Sequence, residues 1–324
     1  MAYQLRQANE SDMDAITHVA NESRRGQPAH RTKTSEETRD EIYEAQGFDP
    51  NGLWLALDGE EPVGYGNAVV EKTVSTGDEG VGYVTVEIVP SHRGISIEQE
   101  LMSRALAFIE SAGGSRVRSS AYEKDEWLKI LFECNGFILN RRIYTMVCTG
   151  CAPKDAHIPP DGIEFRDQLL SEANDRDLSA FVEVHNESFK DHFGYVLRTE
   201  RQFESLRDCT EDVFRITYAT KDGAVIGFSM IEDSVVFNRE QGEKTGWILA
   251  VGVLPNHRRK GLGRALVGDC LKWFNDHGLE TIRLAVDAEN AKALALYASL
   301  GFETAWQYHA YEKQLMSAGV GMKA

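Results

Sequence analysis

Cysteine is scarce: five residues in a chain of 324, too few and of the wrong parity for a disulfide framework. Cys148 and Cys151 form one CxxC, but a zinc site would need a second pair at matching spacing, and the sequence has none. The two are therefore read as ordinary linker residues, and no metal is expected. No apolar run approaches the ~18 residues that cross a membrane. The N-terminus, MAYQLRQANESD, lacks a basic-then-apolar signal segment. Positive charge is also in deficit, with 35 Lys and Arg against 51 Asp and Glu, a net charge of −16. That balance argues against nucleic acid and anionic lipid as partners, both of which select a basic face. It is compatible with a cationic acceptor such as an amine. The expectation is a cytoplasmic protein, monomer or homodimer, with no nucleic-acid or membrane partner.

What is present is ordinary globular material: 42% hydrophobic and 27% charged residues. At roughly 100–200 residues per domain the length suggests two domains. The chain also repeats itself. Val89-Pro90-Ser91-His92-Arg93 resembles Leu254-Pro255-Asn256-His257-Arg258, Asn135-Gly136-Phe137 resembles Leu300-Gly301-Phe302, and Asn21-Glu22-Ser23 recurs as Asn186-Glu187-Ser188. All three pairs lie 165 positions apart, which points to duplication of a whole domain. The boundary is placed near residues 149–161, within CTGCAPKDAHIPPDG (148–162), giving domains 1–150 and 151–324.

The second half reads as alternating strands and helices. Strands are expected at 213–219, 224–231, 247–253 and 281–287, the first two joined at an Asp222-Gly223 turn. Helices are expected at 263–277, closed by Gly278, and at 291–300, closed by Gly301. The fold class is α/β (α+β), with a mixed central sheet flanked by helices.

The stretch VGVLPNHRRKGLGR, 251–264, carries the chemistry. A buried strand ends, an Arg- and Gly-rich turn follows, and a helix begins. A helix N-terminus offers unpaired N–H groups and partial positive charge. Gly261 and Gly263 let an anion approach the backbone, and Arg258, Arg259, Lys260 and Arg264 add charge. The ligand is read as a pyrophosphate or polyphosphate. A dinucleotide fingerprint fails because Leu266 stands at the third Gly of GxGxxG, and no GxxxxGK[ST] exists.

Arg258-x-x-Gly261-x-Gly263, followed by Asn290, Tyr297 and Leu300-Gly301-Phe302 in order and at spacing, resembles the acyl-coenzyme A signature of the GNAT superfamily of N-acetyltransferases. The resemblance is strong over about 163–315 and weak over 3–147. It implies two tandem GNAT-like domains and acetyl-CoA as co-substrate. Backbone groups of Val251, Gly252 and Val253 would pair with the pantetheine arm. Amides from Arg259 through Lys260, Gly261, Leu262 and Gly263 to Arg264 would hold the pyrophosphate. Asn290 would contact the cofactor arm, and Tyr297 would protonate the leaving thiolate. Read from the residues alone, Asn290 is equally a helix N-cap, Tyr297 a core aromatic, and Arg258 a loop brace.

The family pattern breaks at the base. Some members carry a Glu on the strand before the loop, where Trp247 stands; others carry one five residues before the Asn, where Ala285 stands. Asp191, His192, Glu232 and Asp287 are the candidates left for the acceptor side. In the first half, Ser96 and Glu98 replace Gly261 and Gly263, and Phe132 replaces Tyr297. Glu98 would repel a pyrophosphate and Phe132 cannot donate a proton, so the first domain is expected to be degenerate and without cofactor. The leading expectation is transfer of an acetyl group to a small-molecule primary amine. The alternatives are a protein or peptide N-acetyltransferase of the ribosomal-protein type, or a non-catalytic acyl-CoA-binding regulator.

Overall fold

The computed structural model describes residues 3–71, 80–151, 157–192, 195, 197–209 and 211–315. Residues 152–156 of the expected linker, and Phe193 and Gly194 beside the Asp191-His192 pair, lie outside them. In chain order the elements begin with β1 (Gln4–Gln7), α1 (Met13–Arg24), α2 (Ser35–Tyr43), β2 (Leu53–Asp58), β3 (Glu61–Glu71), β4 (Gly80–Ile88), α3 (Ile97–Ser111), β5 (Gly114–Tyr122), α4 (Glu126–Cys134) and β6 (Ile138–Thr149). They continue with β7 (Glu164–Leu169), α5 (Asp175–Phe189), α6 (Arg201–Asp208), β8 (Val213–Lys221), β9 (Ala224–Asp233), α7 (Val235–Gln241), β10 (Thr245–Val253), α8 (Leu262–Asp276), β11 (Thr281–Asp287), α9 (Ala291–Ala298) and β12 (Glu303–Gln314). The duplication is visible in these bounds: β4 and β10, α3 and α8, and β6 and β12 are each offset by the same 165 residues.

Two compact units form, but not at the division 1–150 and 151–324. One is Met1–Arg142 with Gln307–Ala324, and the other is Ile143–Trp306. The reason is an exchange of final strands. Residues Ile143 to Thr149 of β6 pair with β11 of the second unit, and Tyr308 to Gln314 of β12 pair with β5 of the first. A linker composition marks where regular structure ends; it does not reveal which sheet the preceding strand joins. The first unit's sheet runs β1-β2-β3-β4-β5-β12, and the second's β7-β8-β9-β10-β11-β6. In each, one pair is parallel, β4 with β5 and β10 with β11, and the rest are antiparallel. The architecture is a mixed α/β fold, with helices against the middle strands of each sheet.

Local rules explain the elements. The Asp222-Gly223 turn has φ of 51° and 80°, the left-handed pair that a two-residue hairpin needs. α5 opens on a reciprocal cap, Asn174 accepting from Asp177 N at 3.1 Å and Asp177 accepting from Asn174 N at 3.2 Å. α8 buries Leu262, Leu266, Cys270 and Phe274 along one stripe, and Phe274 sits where a Cβ on Gly246 would fall, 2.3 Å away.

The repeated motifs turn out to be braces. Arg93 donates to the carbonyls of Ile88 and Ser23 at 3.1 and 2.7 Å, and Arg258 to those of Val253 and Ser188 at 2.9 Å each. Asn21 and Asn186 each clamp the backbone twelve residues on, at Lys33 and Arg198. Each copy thereby ties its first helix to the turn after its fourth strand.

Cys148 and Cys151 are joined by a disulfide beside Gly301, a correction to their reading as ordinary linker residues. The three-residue spacing brings the two Cα atoms to 5.9 Å because β6 ends between them. Cys134, Cys209 and Cys270 are free. Titration of the unfolded, unreduced chain with a thiol reagent is expected to count three thiols, and five after reduction.

A second consequence concerns pH. His185 lies among the rings of Phe181, Phe189, Phe203 and Phe228, with centroids 4.8–5.9 Å away. Burial, and then Arg198, pull it down to about 4. The unfolded chain takes up this proton near the ordinary ~6.5 while the folded chain stays neutral, so stability falls as pH drops from 6.5 towards 4. At 1.36 kcal/mol per pKa unit the loss is about 3 kcal/mol. Urea unfolding at pH 7 and 4.5 is expected to show it, and His185→Phe to flatten that slope.

Candidate active site

The second unit carries an open wedge in its sheet. β10 and β11 pair from Thr245↔Thr281 to Ile248↔Leu284 and no further. Next to the last pair, Leu249 bulges out of the β10–β9 ladder and is 42% exposed. From Leu249 to Val253 the edge of β10 facing β11 therefore has no sheet partner among the described residues. These backbone N–H and C=O groups are available to an extended ligand, as strand addition requires. Val251, Gly252 and Val253 lie on that stretch. Gly252 is obligatory there, since a Cβ would lie 2.3 Å from the Phe228 ring and 2.9 Å from Ser188.

The turn that follows points amides at one spot. Arg259 and Gly261 have φ of 63° and 82°, and Gly261 caps α8 with no side-chain acceptor. The first-turn N–H groups of Leu262, Gly263 and Arg264 thus have no partner among the described residues, and the helix dipole adds positive character. Gly263 faces open space, the first neighbour of an added Cβ being Leu296 at 3.7 Å. A pyrophosphate fits this cradle. The four cations divide. Arg258 is committed to the Val253 and Ser188 carbonyls, so its guanidinium braces the turn from below. Lys260 bonds the Asn256 carbonyl at 3.0 Å and Arg264 the Ser299 hydroxyl at 2.7 Å, leaving Arg259 with no hydrogen bond among the described residues.

Asn290 is an N-cap, its Oδ1 accepting from Ala293 N at 3.1 Å. Its Nδ2 has no partner among the described residues, so the cap leaves a donor for a ligand. Tyr297 packs its ring against Phe302 at 5.9 Å, in one apolar cluster with Val251 and Cys270. Burial, and then Cys270, push the Tyr297 hydroxyl up to about 12. The Cys270 thiol is itself pushed up to about 12 by burial.

On the acceptor side the structure brings three of four candidates together. Asp191 lies 4.0 Å from Arg258, and His192 is held below its ordinary value by burial and then by Arg258, against the pull of Asp191 and Asp287. His192 is therefore neutral at pH 7. Glu232 stands apart: it pairs with Trp247, four residues or about 13 Å along the strand from Val251, and accepts from Ser234 at 2.7 Å. The Leu249 bulge carried no sequence signal, because 247–253 is an unbroken apolar run.

In the first unit the equivalent turn is already filled. Gly94 and Ser96 repeat the left-handed conformations, with φ of 81° and 79°. Glu98 accepts from Gly94 N at 2.7 Å, its carboxylate standing in the turn where an anion would. Phe132, the counterpart of Tyr297, is a core ring 1% exposed.

Residues 15–137 and 178–302 each match the Acetyltransferase (GNAT) family. The chain is 30% identical over 257 residues to the mycothiol acetyltransferase of Streptomyces coelicolor, covering 78% of this chain and 76% of that one. It is 28% identical over 247 residues to the protein of the same name from Streptomyces avermitilis, covering 71% and 75%. Among solved structures, a GCN5-related N-acetyltransferase from Sphaerobacter thermophilus superposes with a TM-score of 0.69 at 20% identity, over 96% and 95% of the two chains. A tandem GNAT protein from the clavulanic acid biosynthesis pathway gives 0.70 at 14% identity, over 97% and 98%. These two likenesses speak for the fold alone. Two matches to one family, on two copies of one wedge-and-turn design, place this chain in the GNAT acetyltransferase family, as an N-acetyltransferase built in tandem.

Proposed function

We propose that the second unit transfers an acetyl group from acetyl-CoA directly to the primary amine of a small molecule, and that the first unit binds no acyl-CoA. The observation that carries this reading is the asymmetry of the two turns: one presents unpaired amides at Gly261–Arg264, and the other holds the carboxylate of Glu98.

Acetyl-CoA would lie with its pantetheine arm along Val251–Val253 and its pyrophosphate on the amides of residues 259–264. The acceptor amine would enter beside Asp191, His192 and Asp287. Neutral His192 is able to accept the proton that an ammonium must lose before it attacks. A β10 amide donates to the oxyanion as the carbonyl carbon becomes tetrahedral. When the C–S bond breaks, the sulfur takes the electron pair and Tyr297 supplies the proton. A tyrosine at about 12 is a poor acid towards a solvated thiol near ~8.5, an uphill transfer of about 5 kcal/mol. Desolvation of the leaving thiolate raises its proton affinity, as burial raises that of Cys270, and so narrows this gap. The family relatives named for mycothiol support a small-molecule acceptor over a protein one. The test is thiol release from acetyl-CoA with a panel of small amines and, separately, with basic peptides. Turnover with the amines supports the reading, and turnover with peptides alone overturns it.

A further inference from the structure

The duplicated units differ at one place in a way the transfer reaction does not use. In the second unit the space under α5 and α6 is plugged by rings: Phe181, His185, Phe189, Phe203 and Phe228 pack with centroids 4.8–6.2 Å apart, in edge-to-face and tilted pairs. At the 165 offset the first unit has Ile16, Ala20, Arg24 and Thr38 in place of the first four. By strand register, Tyr65 and Asn67 replace Phe228 and Met230. Of the five rings only Phe228 has a ring as its counterpart, Tyr65, and a cavity of about 200 Å³ lies between α1, α2, β3 and β4. That is room for about six or seven waters, or one molecule of monosaccharide size. A second cavity of about 370 Å³ shares Arg24 and Thr85 with it and follows the parting of β4 from β5.

The walls are polar where the other copy is apolar. Thr85 and Glu87 stand at the offset positions of Ala250 and Gly252. Their charges are already matched. Arg24 donates to Glu87 at 2.7 Å, Ser23 donates to the other Glu87 oxygen at 2.6 Å, and Lys33 pairs with Glu41. His30 is held below its ordinary value by burial and then by Arg24, so it adds no charge at pH 7. What remains unmatched is uncharged. Tyr65 is 5% exposed and lines the cavity. Asn67 Oδ1 is buried without a donor. A buried polar group left unpaired costs about 1–3 kcal/mol, so a cavity lined by Asn67 and a tyrosine hydroxyl suits a ligand rich in donors. A net ion entering would lose its hydration with no free countercharge to replace it.

We propose that the first unit is a binding module for an uncharged, hydroxyl-rich small molecule of about monosaccharide size, held in this cavity by Tyr65 and Asn67. The site is separate from the transfer reaction, and its test does not depend on turnover. Saturation-transfer NMR on the full chain would use D-glucose, sorbitol and glycerol as probes, with citrate and glutamine as ionic comparators. The expected result is transfer to glucose or sorbitol protons. Tyr65→Phe should weaken it about tenfold, the cost of one hydrogen bond. Thr38→Phe, which puts back the ring that Phe203 supplies in the other copy, should abolish it. Because that variant refills the cavity, its melting temperature should not fall, and acetyl-CoA binding should be unchanged in both. No transfer to any neutral probe, transfer to citrate or glutamine alone, or transfer that survives both substitutions would overturn the proposal.

Discussion

Gly263→Glu should abolish acetyl-CoA binding without unfolding the protein. The substitution gives the second unit the residue that the first unit carries at Glu98. Space exists for it, since an added Cβ at Gly263 meets nothing closer than 3.7 Å, and the backbone there needs no left-handed conformation. An acidic residue in a first helical turn is even mildly stabilising. The carboxylate would fold back onto the Arg259 amide, as Glu98 folds onto Gly94 N at 2.7 Å. A unit charge about 4 Å from a phosphate costs roughly 4 kcal/mol at an effective dielectric of 20, close to 1000-fold in affinity. Calorimetry would show the heat of binding lost while the melting temperature stays within a few degrees. Retained binding would mean that the pyrophosphate does not sit on this turn.

Tyr297→Phe separates chemistry from binding in the opposite sense. The ring contact with Phe302 and the place in the apolar cluster survive in phenylalanine, whose core fit at the same position is already exhibited by Phe132 in the first unit. Only the hydroxyl is removed. Loss of a positioned general acid costs about 100-fold or more in kcat, with cofactor affinity little changed. The wild-type rate should hold to high pH, because burial raises the hydroxyl to about 12 and keeps it protonated throughout the neutral range. An unchanged kcat in the variant would remove Tyr297 from the mechanism and leave it as the core aromatic its helix position also permits.

The second unit was legible in sequence to the extent that its signals were local. The Asp-Gly hairpin, β11 over Thr281–Asp287, the glycine stop at Gly278 and the cation-rich turn all follow from residues within one turn of one another. The duplication was legible because three short matches shared one offset. Their physical cause was not. The repeated Arg and Ser hold each unit together through carbonyl hydrogen bonds, so Arg258 shapes the turn. The exchange of β6 and β12 was hidden because strand pairing is a long-range choice and both strands have a suitable pattern for either sheet. The distance of Glu232 from the wedge was hidden for the same reason, since strand register sets it. The cavity of the first unit had no local signature at all. It emerges only when Ala20, Thr38 and Tyr65 are set against His185, Phe203 and Phe228 in the other copy.

The central claim is that duplication left one working acyl-CoA site and one occupied by the chain's own carboxylate. Native mass spectrometry of the full chain, titrated with acetyl-CoA beyond saturation, tests it most directly. A single bound molecule per chain, absent in Gly263→Glu, is the predicted result. Two molecules per chain, or one that persists in that variant, would contradict it.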